Sequence, residues 1–370
     1  MTKLKNITKI NKWFDGLNEP LIIAGPCSAE SEEQVMQTAM EIAASGKVKV
    51  FRSGIWKPRT RPGNFEGVGE EGLQWMKRVK KETGLLTAIE VANSEHVDLA
   101  VKYDVDILWI GARTSSNPFS IQELADHLKG YDKPVLVKNP INPDVSLWVG
   151  ALERLQKAGV SKLAAVHRGF FPFEPTTLRN IPKWEVAIEL KSMCHDLPII
   201  CDPSHISGNT EFIKEISQKA LDLNMDGLMI ETHYNPMVAL SDMNQQVTPK
   251  ELDILLDELI FRRTSTKDAD FTNILETMRS KIDSIDQQML ELLSQRMNAV
   301  EEIGKYKSKN EVTILQLRRW EKIMSTRLKL GKKLGLTEEF IKKLLQLVHK
   351  ESIQRQTEVM NKLTSSKKKD

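Results

Sequence analysis

Cysteine is scarce: Cys27, Cys194 and Cys201 are the three in a chain of 370 residues. So sparse and odd a set argues against a disulfide framework and fits a reducing compartment. Long hydrophobic runs are also absent. None approaches the roughly 20 residues that span a bilayer, so no membrane partner is expected. The start, Met1 to Lys12, is polar and basic without the apolar core of a signal peptide, and a cytoplasmic location is expected. Charge of one sign is missing too. The net charge is only +3, which removes the electrostatic case for nucleic acid as a partner. The visible bias is Lys367-Lys368-Lys369, expected to lie in a solvated, disordered tail over 363–370. What is present is an ordinary globular composition, 40% hydrophobic and 28% charged, at a length that exceeds a single core of about 250 to 300 residues. Two domains are expected.

The first two-thirds of the chain repeats one unit. A short apolar, β-branched run leads into a polar junction and then an amphipathic helical stretch. Eight such runs occur, at 21–24, 48–52, 85–91, 107–111, 135–138, 163–166, 199–201 and 228–230. Most are continuously apolar, as parallel strands covered on both faces are. Eight β-α units predict a (β/α)8 TIM barrel over 1–262. A doubly wound sheet is the alternative, weakened because no G-x-G-x-x-G follows the first strand.

In a barrel the chemistry sits where strands end. Arg52, Lys57, Arg59, Arg113, Lys138 and Arg168 stand at or follow four strand ends and face one mouth. They repel one another unless anions fill the space, so phosphates and carboxylates are the ligands expected. Cys27, His205, Glu231 and Asp242 follow strands one, seven and eight, which adjoin when the ring closes. A thiolate, an imidazole and two carboxylates suit a divalent first-row metal such as Mn2+. Cys194 and Cys201 read as packing residues.

Gly25-Pro26-Cys27-Ser28, Lys57-Pro58-Arg59-Thr60, Gly111-Ala112-Arg113, His167-Arg168-Gly169 and Ser204-His205-x-x-Gly208 resemble 3-deoxy-D-arabino-heptulosonate 7-phosphate (DAHP) synthase. The similar subgroup is the one shared with 3-deoxy-octulosonate 8-phosphate synthase, which carries Asn-Arg in place of the Lys-Pro-Arg-Thr motif. The resemblance covers about 10–262. It implies that Arg52, Lys57, Arg113, Lys138 and Arg168 hold phosphoenolpyruvate, with Lys57 also catalytic. By the same resemblance Arg59 and Thr60 hold the phosphate of erythrose 4-phosphate, and Cys27, His205, Glu231 and Asp242 hold the metal. The implied reaction joins C3 of phosphoenolpyruvate to a sugar aldehyde polarised by the metal; water adds at C2 and phosphate departs. Where the family has Ser-Asp-Gly-x-Gln-Ser, this chain reads Ser241-Asp242-Met243-Asn244-Gln245-Gln246.

Beyond a polar linker over 263–270 the strand signal ends. Ile274, Met278, Ile282, Ile285, Met289, Leu292, Leu293, Val300 and Ile303 recur at helical spacing. They predict one helix of over 30 residues, followed by helices near 316–331 and 337–362 with Gly331 and Gly335 in the connection. Two short helices cannot cover so long a stripe, so a partner chain is expected. Arg296 and Lys307 are eleven residues apart on nearly the same face, and their Cα atoms lie roughly 16 Å apart along the axis. Their side chains can grip a small dianion, or else form a solvated basic face. Arg279 is about 100° off that face and can serve only a partner's pocket.

Met278-Arg279-x-x-Ile282-Asp283-x-Ile285-Asp286, Leu292-Leu293-x-x-Arg296-Met297 and Ile303-Gly304-x-x-Lys307 resemble the all-helical chorismate mutase family over about 272–358. The resemblance implies an all-α, three-helix domain over 271–362 that forms an intertwined homodimer. It implies that Arg279, Arg296, Lys307, Arg319, Ser352 and Gln356 bind chorismate, with Lys307 and Gln356 catalytic at the breaking ether oxygen. Two positions depart: Gln316 stands for a common Asp, and Trp320 for the Glu that meets the substrate hydroxyl, although an indole cannot accept a hydrogen bond. Three readings stay open: a second enzyme, a ligand sensor, or a dimerisation module. About twenty residues precede the first strand, too few for a regulatory domain at the front. Prephenate is therefore expected to inhibit the barrel through the helical domain.

Overall fold

The structure, a computed structural model, describes residues 4–17, 19–57, 65–262 and 268–366. The chain divides into two compact units, Met1–Thr264 and Ser265–Asp370.

In the first unit β1 (Leu21–Gly25), β2 (Val50–Ser53), β3 (Leu86–Val91), β4 (Ile107–Ile110), β5 (Val135–Lys138), β6 (Leu163–His167), β7 (Ile199–Cys201) and β8 (Gly227–Glu231) pair in parallel and in sequence order. β8 returns to β1, with Leu21 opposite Gly227 and Gly25 opposite Glu231, and closes the barrel. All eight expected strands are present, with ends that differ by up to two residues. Both faces of nearly every strand are buried because alternate residues serve two different layers. Ile23, Val50, Ala88, Trp109, Leu136, Ala164, Val166, Ile200 and Met229 fill the barrel interior, joined by Ile10, Trp13 and Leu17 from the segment ahead of β1. Ala24, Phe51, Ile89, Leu108, Val137, Ala165 and Leu228 face outward under the helices. A doubly wound sheet is excluded by the closure.

The helices of this unit are α1 (Glu32–Ala44), α2 (Glu70–Thr83), α3 (Ser94–Lys102), α4 (Ala112–Ser115), α5 (Pro118–His127), α6 (Val145–Lys157), α7 (Trp184–Met193), α8 (Pro203–Ser207), α9 (Ile213–Asp222) and α10 (Pro249–Glu258). Polar residues just after the strands start several of them. Ser31, Asn93 and Asp144 accept hydrogen bonds from the backbone N–H groups of Gln34, His96 and Leu147, and Thr248 forms a capping box with Glu251. These caps fix where each loop meets the barrel mouth.

The second unit is three helices, α11 (Ala269–Lys309), α12 (Leu317–Lys333) and α13 (Glu338–Ser366). α11 has 41 residues and is about 60 Å long. Asp268 caps it by accepting from the Phe271 N–H at 3.0 Å, so the helix begins inside the expected linker. α13 runs to Ser366, past the expected end at 362. Residues 363–366 are therefore helical rather than tail, since Leu363, Thr364 and Ser365 interpose no glycine or proline. α13 packs along α11 and α12. Two glycines permit this: a Cβ at Gly331 would stand 2.3 Å from Ile341 Cδ1, and one at Gly304 would stand 3.3 Å from Gln356 Cα. Ile274, Met278, Ile282, Met289 and Leu292 remain about half exposed along α11.

Candidate active sites

Cys27, Glu231 and Asp242 offer a sulfur and two carboxylate oxygens that lie within 4.8 Å of one another. Cys27 Sγ is 3.4 Å from Asp242 Oδ2. The loop after β1 sets Cys27, whose N–H donates to Gln246 Oε1 at 2.9 Å. β8 ends on Glu231, which is wholly buried; its Oε1 accepts no hydrogen bond among the described residues. His205 stands outside the tightest grouping, with Nε2 3.8 Å from Glu231 Oε1. Its other nitrogen is fixed: Nδ1 lies 2.8 Å from Asp202 Oδ2, and Asp202 also caps α8 by accepting from the His205 N–H. That partnership orients the imidazole with Nε2 toward Glu231, the arrangement that metal-binding histidines use.

The donor set fits a divalent cation. Burial and the Glu231 carboxylate push the Cys27 thiol up to about 11. Burial would raise the Asp242 carboxyl, but the charges of Arg179, His205 and Lys57 hold it well below the usual carboxylate range. Glu231, also raised by burial alone, is held below its ordinary value by His205 and Arg52. Burial lowers His205; an imidazole that gives up its proton offers Nε2 to a cation, whose charge then replaces that of the imidazolium beside the two carboxylates. Carboxylates that stay charged and a neutral imidazole are the states a metal needs, and a cation would in turn draw the proton from the thiol.

Cations flank this cluster. Lys57 Nζ is 3.0 Å from Cys27 Sγ. Arg52 is 1% exposed; Nη2 is 3.3 Å from both Glu231 Oε1 and the Cys27 carbonyl, while Nε and Nη1 make no hydrogen bond among the described residues. Its guanidinium lies 4.7 Å over the Trp109 ring, and Lys138 Nζ lies 5.9 Å from the same ring. Lys138 pairs with Asp202 at 2.7 Å. Arg168 is pushed down to about 10 by burial, with the positive charges of Arg179 and Arg113 adding to the effect. Arg113, in the first turn of α4, is therefore close enough for its charge to be felt there. Gly111 leaves the needed room, since a Cβ there would lie 2.0 Å from Glu90 Oε1. Arg59 and Thr60 lie outside the described residues. His167 is packed among Trp148, Phe170 and Trp184 and pushed down to about 3 by burial, so it supports the wall.

Asp202, Arg179, Asn180 and Gln245 belong to the site but were not singled out from the sequence. Asp202 had a signal, an N-cap residue before Pro203 and three ahead of His205. Gln245 had one too, as the Gln of the Ser-Asp-Gly-x-Gln-Ser pattern; Arg179 and Asn180 had none.

In the helical unit Arg296 donates from Nη1 to Ser352 Oγ at 2.6 Å, joining α11 to α13. Gln356 is buried, with its Oε1 unpaired among the described residues. Lys307 Nζ donates to the Ile314 carbonyl. Burial lowers both Arg296 and Lys307. Arg319 is exposed in the first turn of α12, and Arg279 is exposed and pairs with Glu276. Trp320 stacks on His349 of α13, with centroids 3.9 Å apart.

The DAHP synthetase I family model matches residues 4–265, and the chorismate mutase type II model matches residues 278–357. Phospho-2-dehydro-3-deoxyheptonate aldolase of Thermotoga maritima is 33% identical over 238 residues, 64% of this chain and 68% of that protein. 2-Dehydro-3-deoxyphosphooctonate aldolase of Wolinella succinogenes is 26% identical over 263 residues, 65% of this chain and 98% of that protein. The solved structure of the T. maritima DAHP synthase gives a TM-score of 0.59 at 31% identity, covering 64% of this chain and 67% of that one. The barrel with its metal-suited cluster and the helical unit thus each have a family: the chain belongs to the DAHP synthetase I family and carries a C-terminal chorismate mutase type II domain.

Proposed function

We propose that the barrel condenses phosphoenolpyruvate with erythrose 4-phosphate to DAHP and phosphate, and that the helical domain converts chorismate to prephenate. The observation that carries the first half is Arg52. A buried guanidinium with two unpaired nitrogens costs about 1–3 kcal/mol for each unsatisfied donor, a cost that an anionic ligand removes. Arg52, Lys138, Arg168 and Arg113 hold the carboxylate and phosphate of phosphoenolpyruvate. Arg59 and Thr60 hold the sugar phosphate, and the Lys57-Pro58-Arg59-Thr60 motif favours the four-carbon sugar. Cys27, His205, Glu231 and Asp242 hold a divalent metal such as Mn2+, which supplies Lewis-acid polarisation of the aldehyde. Lys57, whose Nζ is 3.0 Å from Cys27 Sγ, stabilises charge that develops as C3 attacks. The order of events is C–C bond formation, addition of water at C2 and loss of phosphate. Orientation of two anions side by side is the main contribution of the fold.

In the helical domain Arg296, Ser352, Lys307, Gln356 and Arg319 bind chorismate, and Arg279 serves a partner's pocket. The half-exposed apolar stripe of α11 supports a homodimer, since so long a stripe is seldom left to water. Prephenate, bound in this domain, inhibits the barrel. Three unpaired cysteines, and no helix among the described residues long and apolar enough to cross a membrane, support a cytoplasmic enzyme. The Trp320–His349 stack favours a second reading, a domain that senses ligand without turnover, because an indole offers no acceptor to a substrate hydroxyl. The test is two assays on the purified full-length chain. Loss of phosphoenolpyruvate with erythrose 4-phosphate should exceed that with arabinose 5-phosphate, and chorismate should be consumed. Preference for the five-carbon sugar would overturn the first assignment; absence of chorismate turnover with chorismate still bound would establish the sensor, and absence of both would leave a dimerisation module.

A further inference from the structure

The connection between β6 and α7 carries two polar residues that the reaction as derived above does not use, Arg179 and Asn180. Their backbone N–H groups donate to the carbonyls of Ser207 and Ile206, at 3.0 and 3.1 Å, which ties the segment to the end of α8. Gly208 makes the approach possible: its φ is +77°, and a Cβ there would lie 2.4 Å from Arg179 Cβ. From this anchor Arg179 Nη1 reaches Asp242 Oδ1 at 3.1 Å and Gln245 Oε1 at 2.6 Å. Gln245 passes the contact on, donating from Nε2 to Glu231 Oε2 at 2.6 Å. Asn180 donates to the His205 carbonyl at 2.6 Å and accepts from Arg168 Nη1 at 2.8 Å. One dipeptide thus touches the supports of His205, Glu231 and Asp242.

We propose that Arg179 is the positioning residue of the metal centre: it holds Asp242 and, through Gln245, Glu231, so that their free oxygens face Cys27. The proposal rests on the metal reading above. Asp242 needs such a partner. It is a non-glycine residue at φ +49°, a conformation that costs about 1–3 kcal/mol unless its surroundings hold it. With Oδ1 on Arg179, Oδ2 is left 3.4 Å from Cys27 Sγ. With Oε2 on Gln245, Glu231 Oε1 accepts no hydrogen bond among the described residues and keeps only the ion pair with Arg52 Nη2 at 3.3 Å, on the side toward His205. Each carboxylate is thereby divided, one oxygen for the scaffold and one for the cation, as outer-shell partners of metal ligands do. The guanidinium also offsets repulsion between the Asp242 and Glu231 carboxylates before any cation enters.

Mn2+ binding to the full-length chain, measured by competition with a chelator, tests this. Arg179→Ala should weaken Mn2+ binding by about 10- to 100-fold while the KM for phosphoenolpyruvate at saturating Mn2+ stays within twofold. Arg179→Lys should recover part of the affinity. Gln245→Leu should weaken binding on its own, yet add less than threefold in the Arg179→Ala background, because the two act through one chain of bonds. Mn2+ affinity that is unchanged or higher in Arg179→Ala would overturn the proposal, the latter by showing a competing cation rather than a brace. A rise confined to the KM of the sugar phosphate would overturn it too and make Arg179 a substrate ligand. Failure of the unmutated chain to bind Mn2+ would instead remove the metal reading itself, and this proposal with it. If Arg179→Ala does not fold, Arg179→Lys and Gln245→Leu carry the same comparison.

Discussion

Replacing Arg52 with methionine separates substrate binding from scaffold stability. Methionine keeps the length and apolar stem that pack against Trp109 but removes the charge. A hydrogen bond to a charged group contributes about 1.5–3 kcal/mol, and each 1.4 kcal/mol is tenfold in affinity. The KM for phosphoenolpyruvate should therefore rise by roughly 10- to 150-fold. Stability responds to two opposed terms. Glu231 loses a buried cation 3.3 Å away, a loss of about 3–5 kcal/mol when one partner of a buried pair is removed. Two unpaired donors, Nε and Nη1, also disappear, and each had cost about 1–3 kcal/mol. The Gln245 bond to Glu231 at 2.6 Å remains. The net change should be small, a melting midpoint within a few degrees of the unmutated chain. Initial rates against phosphoenolpyruvate at saturating sugar phosphate, with thermal unfolding alongside, measure both. An unchanged KM in a folded but strongly destabilised variant would show that Arg52 exists to neutralise Glu231 and not to bind an anion.

Arg59→Ala should raise the KM for erythrose 4-phosphate far more than that for phosphoenolpyruvate; equal increases would remove its assignment to the sugar phosphate. Lys307→Ala should lower chorismate turnover by the equivalent of about 3 kcal/mol, the typical effect of removing one preorganised donor, and a change under threefold would place Lys307 outside the site. Prephenate should inhibit condensation by the full-length chain but not by a chain ending at Arg263. Equal inhibition of both, or of neither, would refute control through the helical domain.

The barrel was legible because its strands obey a local rule. Runs such as 135–137 are continuously apolar since both faces are covered, one inward through Leu136 and one outward through Val135 and Val137. Residues at the strand ends were legible for the same reason: closure brings Gly25 opposite Glu231, which joins the loop of Cys27 to the end of β8. The supports were not. Arg179 lies in a long connection with no periodicity, and its contacts with Asp242 and Gln245 exist only after α8 and the loop beyond β8 have folded. The stack of Trp320 on His349 likewise depends on how α12 meets α13, so the sequence showed an indole at 320 without the partner that receives it. Helix ends were blurred where no residue stops them, as at the end of α13.

The most direct test of the account is condensation by the full-length chain before and after exhaustive chelation. The expected result is loss of condensation on removal of the metal and its return with Mn2+, while chorismate turnover in the same sample is unchanged, since the proposed helical site draws on arginine, lysine, serine and glutamine side chains and no metal ligand set. Full condensation after chelation, or none with any divalent metal supplied, would contradict it.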